Sequence, residues 1–354
     1  MSSRSPVIAL TGLEGRDNPY PGVAIARALR EARGRDLRII GFAYDPTLTG
    51  NFRADLFDAV YSTPLPGAPA AMLLERIRTI HASERIDVLM PALDSELALF
   101  TMHREELLEL GIRMLVPSAE SVKSRYKQRL SGFAEKHGVF SPETEVVTVP
   151  DTFWNQEDWS FPCYLKGPLA DAVRVESLGE AIAAHHRLVA RWGYPVLAQK
   201  PICGEEFDVC AVAVRGKVVG SITIKKTVLN SAGKAIGAEV VDAPDALAAA
   251  ERVIEALEWE GPLEVELVRE SSSGRYFLLE VNARFPAWIG VSPGLGLNLP
   301  DLALRLALDE DAGVRSSARV GSRFLRASKT TLSRVESLGE LLSTGSLSHA
   351  SAKL

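Results

Sequence analysis

Residues Phe277–Phe285 read FLLEVNARF. Three apolar residues lead in, and then Glu280, Asn282 and Arg284 fall on alternate positions. Side chains two apart on a strand project from one face. A carboxylate, an amide and a guanidinium therefore line up on one side, with Val281 and Ala283 on the other. Upstream, Glu264 and Glu266 share one face of LEVEL. If the two strands pair across the SSSGR turn, these carboxylates converge. Two such charges 4 Å apart cost roughly 4 kcal/mol at an effective dielectric of ~20, so something positive must offset them. A hard divalent cation fits, since Mg²⁺ is typically held by one or two carboxylates plus substrate phosphates. A solvated strand face, with Arg284 paired to a glutamate across the sheet, fits the same pattern.

Phosphates need cations. Lys166 ends the apolar strand of FPCYLKGP, and Lys127 lies in a helix that opens a new unit near Ser118. A nucleotide base needs apolar walls and a backbone edge. AQKPICGEE offers an apolar strand running into a Pro- and Gly-bearing connection, with Glu206 placed to accept hydrogen bonds from ribose hydroxyls. Read alone, either lysine is more often a surface lysine, and AQKPICGEE is an ordinary loop and hairpin start. Lys225, Lys226 and Lys234 flank TVLNSAGKAIGAEV, a polar segment suited to a mobile loop over the site or to a solvated hairpin end. Asp94, Glu96 and the loop GLEGRDNPYPG could face a cleft, because ligands favour the carboxyl ends of parallel strands. The pair His185-His186 falls in a helix and is expected on the surface.

The elements that must position these residues follow from periodicity. VIALTG, LRIIGF and IDVLMPAL read as strands, alternating with the helical patterns PGVAIARALREAR and AMLLERIRTIH. That alternation predicts a doubly wound parallel sheet over residues 1–119. SVKSRYKQRLSGFAEKHGV reads as one helix ending at Gly138. TEVVTV, PCYLKG and PVLAQKPI are strand-like, and LGEAIAAHHRLVAR is helical. EEFDVCAVAVRGKVVGSITIKK is a long hairpin about Arg215-Gly216-Lys217. PDALAAAERVIEAL is a helix, and LEVELV and YFLLEVN are a second strand pair. The late chain is thus α+β and largely antiparallel. SRFLRASK could form a strand, and the final LSTGSLSHASAKL is expected to fray.

The chain has 354 residues, too many for one ordinary core, with 46% hydrophobic and 24% charged residues. Its net charge of −5 gives no electrostatic reason to expect nucleic acid or an anionic membrane as partner. Cys163, Cys203 and Cys210 form no CxxC pair, so a zinc site or disulfide framework is not expected and a reducing cytoplasmic setting is. No apolar run is long enough to span a bilayer.

The order lysine, lysine, hinge with glutamate, then a glutamate pair with Asn and Arg resembles the ATP-grasp superfamily over residues 1–312. The chain looks most like its stand-alone carboxylate–amine ligases, related to carbamoyl phosphate synthetase, biotin carboxylase, D-alanine–D-alanine ligase and the pyrrolysine-pathway ligase. The resemblance implies an N-terminal α/β domain over 1–119 and two ATP-grasp subdomains over 120–190 and 191–312, with a C-terminal extension over 313–354. It implies ATP and Mg²⁺ (or Mn²⁺) as cofactors. Lys127 matches the first nucleotide-binding lysine, and Lys166 the second, the one that contacts phosphates in the family. Gln199, Lys200 and Ile202 match the hinge that meets adenine mainly through backbone groups, and Glu206 the ribose acid. Glu266, Glu280 and Asn282 match the metal ligands, and Arg284 the arginine that steadies the reacting group. Substrates would be a small carboxylate and an amine, amino acids or a peptide, and a homodimer is a family-level expectation. A bicarbonate-using carboxylase and a nucleotide-binding regulator are the alternatives.

Two departures stand out. Gln199 replaces a glutamate found in many relatives. KGPLADAVRV has one glycine where many relatives have a glycine-rich lid, and Asp171 would sit near anionic phosphates.

Overall fold

The computed structural model describes residues 4–13, 20–150, 154, 159–168, 171–230, 233, 235–313, 318–327 and 330–349. β1 (Val7–Leu10) is buried along its length, as a central parallel strand must be. α1 (Pro21–Arg33) starts with proline in its first turn and ends at Gly34. A Cβ on Gly22 would stand 2.0 Å from the Thr11 carbonyl oxygen, so only glycine lets α1 begin against the end of β1. β2 (Arg38–Ala43), β3 (Ala59–Ser62), α2 (Ala70–Glu84) and β4 (Val88–Met90) complete a parallel sheet of order β3-β2-β1-β4. α3 (Asp94–Met102) and α4 (Arg104–Glu109) leave its carboxyl end.

The segment read as one helix up to Gly138 is two, α5 (Ala119–Ser124) and α6 (Lys127–Lys136). The break falls at Arg125-Tyr126. The Arg125 guanidinium turns inward to Asp94 at 3.0 Å, and Tyr126 takes an extended ψ of 136° before α6 begins.

β5 (Thr144–Val147), β6 (Cys163–Lys166), β7 (Ala172–Val175), α7 (Leu178–Trp192) and β8 (Val196–Gln199) build an antiparallel sheet of order β5-β8-β6-β7. It has its own core, in which α7 packs Ala181, Ala184 and Leu188 on Val147 and Leu165. His185, expected on the surface, is 2% exposed, and its Nε2 lies 3.2 Å from the Val147 carbonyl oxygen. Its position in an apolar i, i+3, i+4, i+7 stripe carries it inward.

β9 (Gly204–Val214), β10 (Lys217–Leu229), β11 (Ala235–Val240), α8 (Pro244–Ala256), β12 (Gly261–Glu270) and β13 (Tyr276–Asn282) follow. With β14 (Arg323–Leu325), beyond α9 (Leu299–Ala307), the strands form a six-stranded sheet of order β13-β12-β9-β10-β11-β14. Arg215 and Gly216 both have positive φ, the mirror-image turn that matches strand twist in a two-residue hairpin. Ile40 and Phe100 of the first sheet region share one core with Val209 and Val265 of this one.

The tail, expected to fray, is structured through His349. α10 (Val335–Thr344) leads into β15 (Ser346–Ser348), which pairs antiparallel with β3. Leu341 and Leu347 anchor it at 1% and 2% exposure, two apolar residues concealed in a polar stretch. Residues 350–354 lie outside the described residues. Among the described residues, no helix is long and apolar enough to cross a membrane.

Candidate active site

β12 and β13 pair antiparallel across their turn, with Glu264 opposite Asn282 and Glu266 opposite Glu280. β9 lies on the other side of β12 and sets Asp208 opposite Glu266. Glu280, Glu266 and Asp208 therefore form one acidic row across three strands. The cation that balances it comes from β10. The Lys226 ammonium is 2.9 Å from Glu266, 3.1 Å from Glu206 and 3.1 Å from Asp208, and its side chain is only 5% exposed. Its side chain is buried among acids rather than at a solvated hairpin end. Lys225 projects the other way to Glu205, and Lys234 lies outside the described residues.

Burial works to raise Glu266, but the charge of Lys226 and hydrogen bonds from Lys226 and Asn282 bring it down to about 2. Burial and the charge of Glu266 push Glu264 up to about 7, and burial carries Asp208 well above the usual carboxylate range. Burial opposes the charge on Lys226, yet the surrounding acids raise its pKa well above that of an ordinary lysine. Asn282 Nδ2 donates to Glu266 at 2.7 Å and to Glu264 at 3.2 Å, while Trp288 Nε1 donates to Glu264 at 3.1 Å. Arg284 ends the row, with Nε 3.0 Å from Asp94 and Nη1 3.6 Å from Glu264.

The donor set suits a hard cation. Glu266 and Glu280 are direct cross-strand partners, and Asn282 adds an amide on the same face as Glu280. Among the described residues, no three His, Cys, Asp or Glu side chains form a metal-holding group. An ion here would complete its shell with oxygens from outside the protein, which is how Mg²⁺ binds beside phosphates.

A pocket of about 290 Å³ opens between the four-stranded sheet and β13, lined by Lys127, Thr144, Lys166, Leu197, Gln199 and Leu278 among others. It gathers both anticipated lysines and the anticipated hinge glutamine. Lys127 lies 3.3 Å from Glu280 and so joins the pocket to the acidic row. Burial lowers the pKa of Lys166, with Glu280 opposing. Gln199 Nε2 donates to Thr144 at 2.9 Å, which fixes its amide. The Lys200 side chain leaves the pocket for Glu143 at 2.8 Å and lies 5.5 Å from the Trp159 ring, so the backbone is what Lys200 offers there. Ile202 is half-buried in the connection to β9, and Glu206 reaches the acidic row through Lys226.

Asp171 does not face this pocket. Its carboxylate accepts from Trp192 Nε1 at 2.8 Å and pairs with Arg191 at 3.0 Å, both on the last turn of α7. Its φ of 66° supplies the left-handed conformation expected of a glycine, and its carbonyl accepts from Gly167 N–H at 3.1 Å. Leu169 and Ala170 lie outside the described residues, as does most of the loop GLEGRDNPYPG. Glu96 is buried among Thr11, Tyr44 and the backbone N–H groups of Ala92 and Leu93. Asp94 does reach the site.

Asp208 was not among the anticipated site residues, while Lys226 was anticipated beside a loop over the site or at a solvated hairpin end and Asp94 as an acid facing a cleft. The alternation Glu206-Phe207-Asp208 was the available signal for Asp208. Arg326 was also missed. It is half-buried, donates to the Ala235 carbonyl oxygen at 3.3 Å, and feels the charge of Glu264.

Residues 194–329 match a family model described as ATP-grasp in the biosynthetic pathway with Ter operon. No curated protein matches the chain in sequence. The fold is similar to the L-amino acid ligase of Bacillus licheniformis, with 18% identity, TM-score 0.65, and coverage of 87% of this chain and 75% of that one. It is similar to the biotin carboxylase domain of Hydrogenobacter thermophilus 2-oxoglutarate carboxylase, a dimer solved with MgADP and bicarbonate, with 14% identity, TM-score 0.65, and coverage of 89% and 73%. It is also similar to Aspergillus clavatus N5-carboxyaminoimidazole synthase, solved with ADP and an aminoimidazole ribonucleotide, with 18% identity, TM-score 0.67, and coverage of 91% and 82%.

Proposed function

We propose that the chain, whose residues 194–329 match an ATP-grasp family model, is an ATP- and Mg²⁺-dependent ligase that activates a carboxylate as an acyl phosphate and joins it to an amine. The observation that carries this reading is the 3.3 Å contact between Lys127 and Glu280. It sets a lysine-lined pocket directly against a row of hard oxygen donors, which supports a nucleotide beside a metal.

Adenine would lie against Leu197, Leu278 and the backbone of residues 199–202, with Gln199 meeting its polar edge. Glu206 would accept from the ribose. Lys127 and Lys166 would bind phosphate oxygens. Glu266, Glu280 and Asn282 would hold Mg²⁺, which when bound neutralises phosphate charge. The substrate carboxylate attacks the γ-phosphorus, the bond to the ADP oxygen breaks, and an acyl phosphate forms. The amine nitrogen then attacks the acyl carbon, phosphate leaves with its bonding electron pair, and the nitrogen gives up its proton to the departing phosphate. Arg284 would face the oxyanion of each step, and positioning with charge stabilisation is the chief contribution of the protein. Arg326 has no carboxylate at ion-pair distance among the described residues and would anchor an anionic group of the substrate that is not being activated. An amino acid or small peptide meets those requirements.

Incubation with MgATP and pooled amino acids should give ADP, phosphate and a new amide by mass spectrometry. AMP with pyrophosphate would exclude the acyl phosphate route. ADP release driven by bicarbonate alone would turn the reading to a carboxylase. Tight ATP binding with no turnover across the panel would turn it to a regulator. Glu280→Gln should lower turnover by at least about 100-fold while circular dichroism stays native, because one of two metal-facing carboxylates is lost and no core contact is.

A further inference from the structure

We propose that Asp94 is a positioning residue, which holds the Arg284 guanidinium at its working angle from across the boundary between the N-terminal sheet and β13. The inference rests on the ligase reading for what Arg284 does, and on geometry alone for how Arg284 is held.

Asp94 is the first residue of α3, directly beyond the carboxyl end of β4. One carboxylate oxygen is 3.0 Å from Arg284 Nε. The other accepts the Ala283 backbone N–H at 3.1 Å and lies 3.0 Å from Arg125 Nη1. Arg125 donates in turn to the Val281 carbonyl oxygen at 3.3 Å. A single side chain of the first sheet region thus grips the backbone and the terminal arginine of the strand that carries Glu280 and Asn282. Burial disfavours its charge, but Arg284 and Arg125 overcome this and keep its pKa low, so the grip is ionic.

The rest of the Arg284 shell shows why the grip matters. Nη2 lies 3.3 Å from Asn282 Oδ1, and Nη1 donates to the Phe285 carbonyl oxygen at 3.2 Å. Among the described residues, its other ion-pair partner is Glu264, 3.6 Å from Nη1 and itself bonded to Asn282. With Asp94 neutralised, Glu264 becomes the dominant attraction. The guanidinium would be drawn toward Glu264 and Asn282 and away from the substrate side. A displacement near 1 Å is enough to cost about 100-fold in rate.

Three variants test this: Asp94→Asn, Arg284→Met and the double variant. Asp94→Asn should lose about 100-fold in kcat with the KM for ATP changed less than about 3-fold. The double variant should be no slower than Arg284→Met alone. Losses that multiply would overturn the proposal, because a merely structural Asp94 acts independently of Arg284. A crystal structure of Asp94→Asn should show Arg284 moved onto Glu264, and an unmoved Arg284 would equally overturn it. Should Asp94→Asn fail to fold, Asp94→Glu keeps the charge and shifts it by one methylene. It should fold, retain the KM for ATP and lose kcat, whereas full activity counts against the proposal. If the wild-type protein turns over no substrate, the ligase reading fails, and the position of Arg284 in the variant structure still decides the inference.

Discussion

Replacing Lys226 with methionine would leave Glu206, Asp208 and Glu266 facing one another without their common cation. Removing one partner of a buried ion pair costs about 3–5 kcal/mol, because the remaining charge stays desolvated. Lys226→Met should therefore unfold at clearly lower urea concentration. Millimolar Mg²⁺ should return part of the loss, since a divalent ion can take up the same charge, and an unfolding midpoint indifferent to Mg²⁺ would argue against a metal at this row. The residues that were legible in the sequence are those whose arrangement is local. Glu280, Asn282 and Arg284 announce a shared face by alternation within one strand. Lys226 could be named beside the site but not as its buried cation, because its partners Glu206 and Glu266 lie 20 and 40 residues away in sequence and nothing beside it in the chain marks it as buried.

At the level of the element, α3 and the strand ends beneath it are held by Glu96. Burial outweighs the hydrogen bonds from Thr11, Tyr44, Leu93 and Ala92 and pushes this carboxyl from 4.5 up to about 7. Between those values the folded chain keeps a proton that the unfolded chain has lost. The resulting stability is fully present below pH 4.5 and is lost as pH rises through about 7. A shift of this size corresponds to about 3 kcal/mol. Glu96→Gln should remove the Glu96 share of that slope, so melting temperatures from pH 5 to 8 should fall less in the variant than in the wild type, the remainder coming from the raised carboxyls Glu264 and Asp208. Parallel slopes in the two proteins would refute the assignment. Element identity itself was largely readable. Both hairpins, about Arg215-Gly216 and about SSSGR, follow from period-2 runs beside turn residues. The interruption between α5 and α6 was not, because Arg125 is drawn inward by Asp94, a residue of a different element.

Across the whole molecule, the last described segment returns to the first sheet. Leu347 is 2% exposed, and β15 closes the edge of β3. Leu347→Ala should cost about 2–5 kcal/mol, the range for truncating a buried leucine. The loss should appear in hydrogen exchange as faster exchange in β3 and β2 than in β12 and β13. The alternating strands and helices of the first third made β1, β2 and β4 readable, but β3 and the fifth strand were not: β15 sits in a polar stretch and pairs with a strand nearly three hundred residues earlier. Its placement has a bearing on synthesis. The ribosome delivers β3 nearly three hundred residues before its neighbour. Throughout that interval the nascent chain carries an open row of backbone donors and acceptors, the feature that invites pairing between chains. The earliest domain to emerge is thus the last to be sealed, and a chaperone that shields strand edges should raise the yield of native protein more than one that only delays collapse.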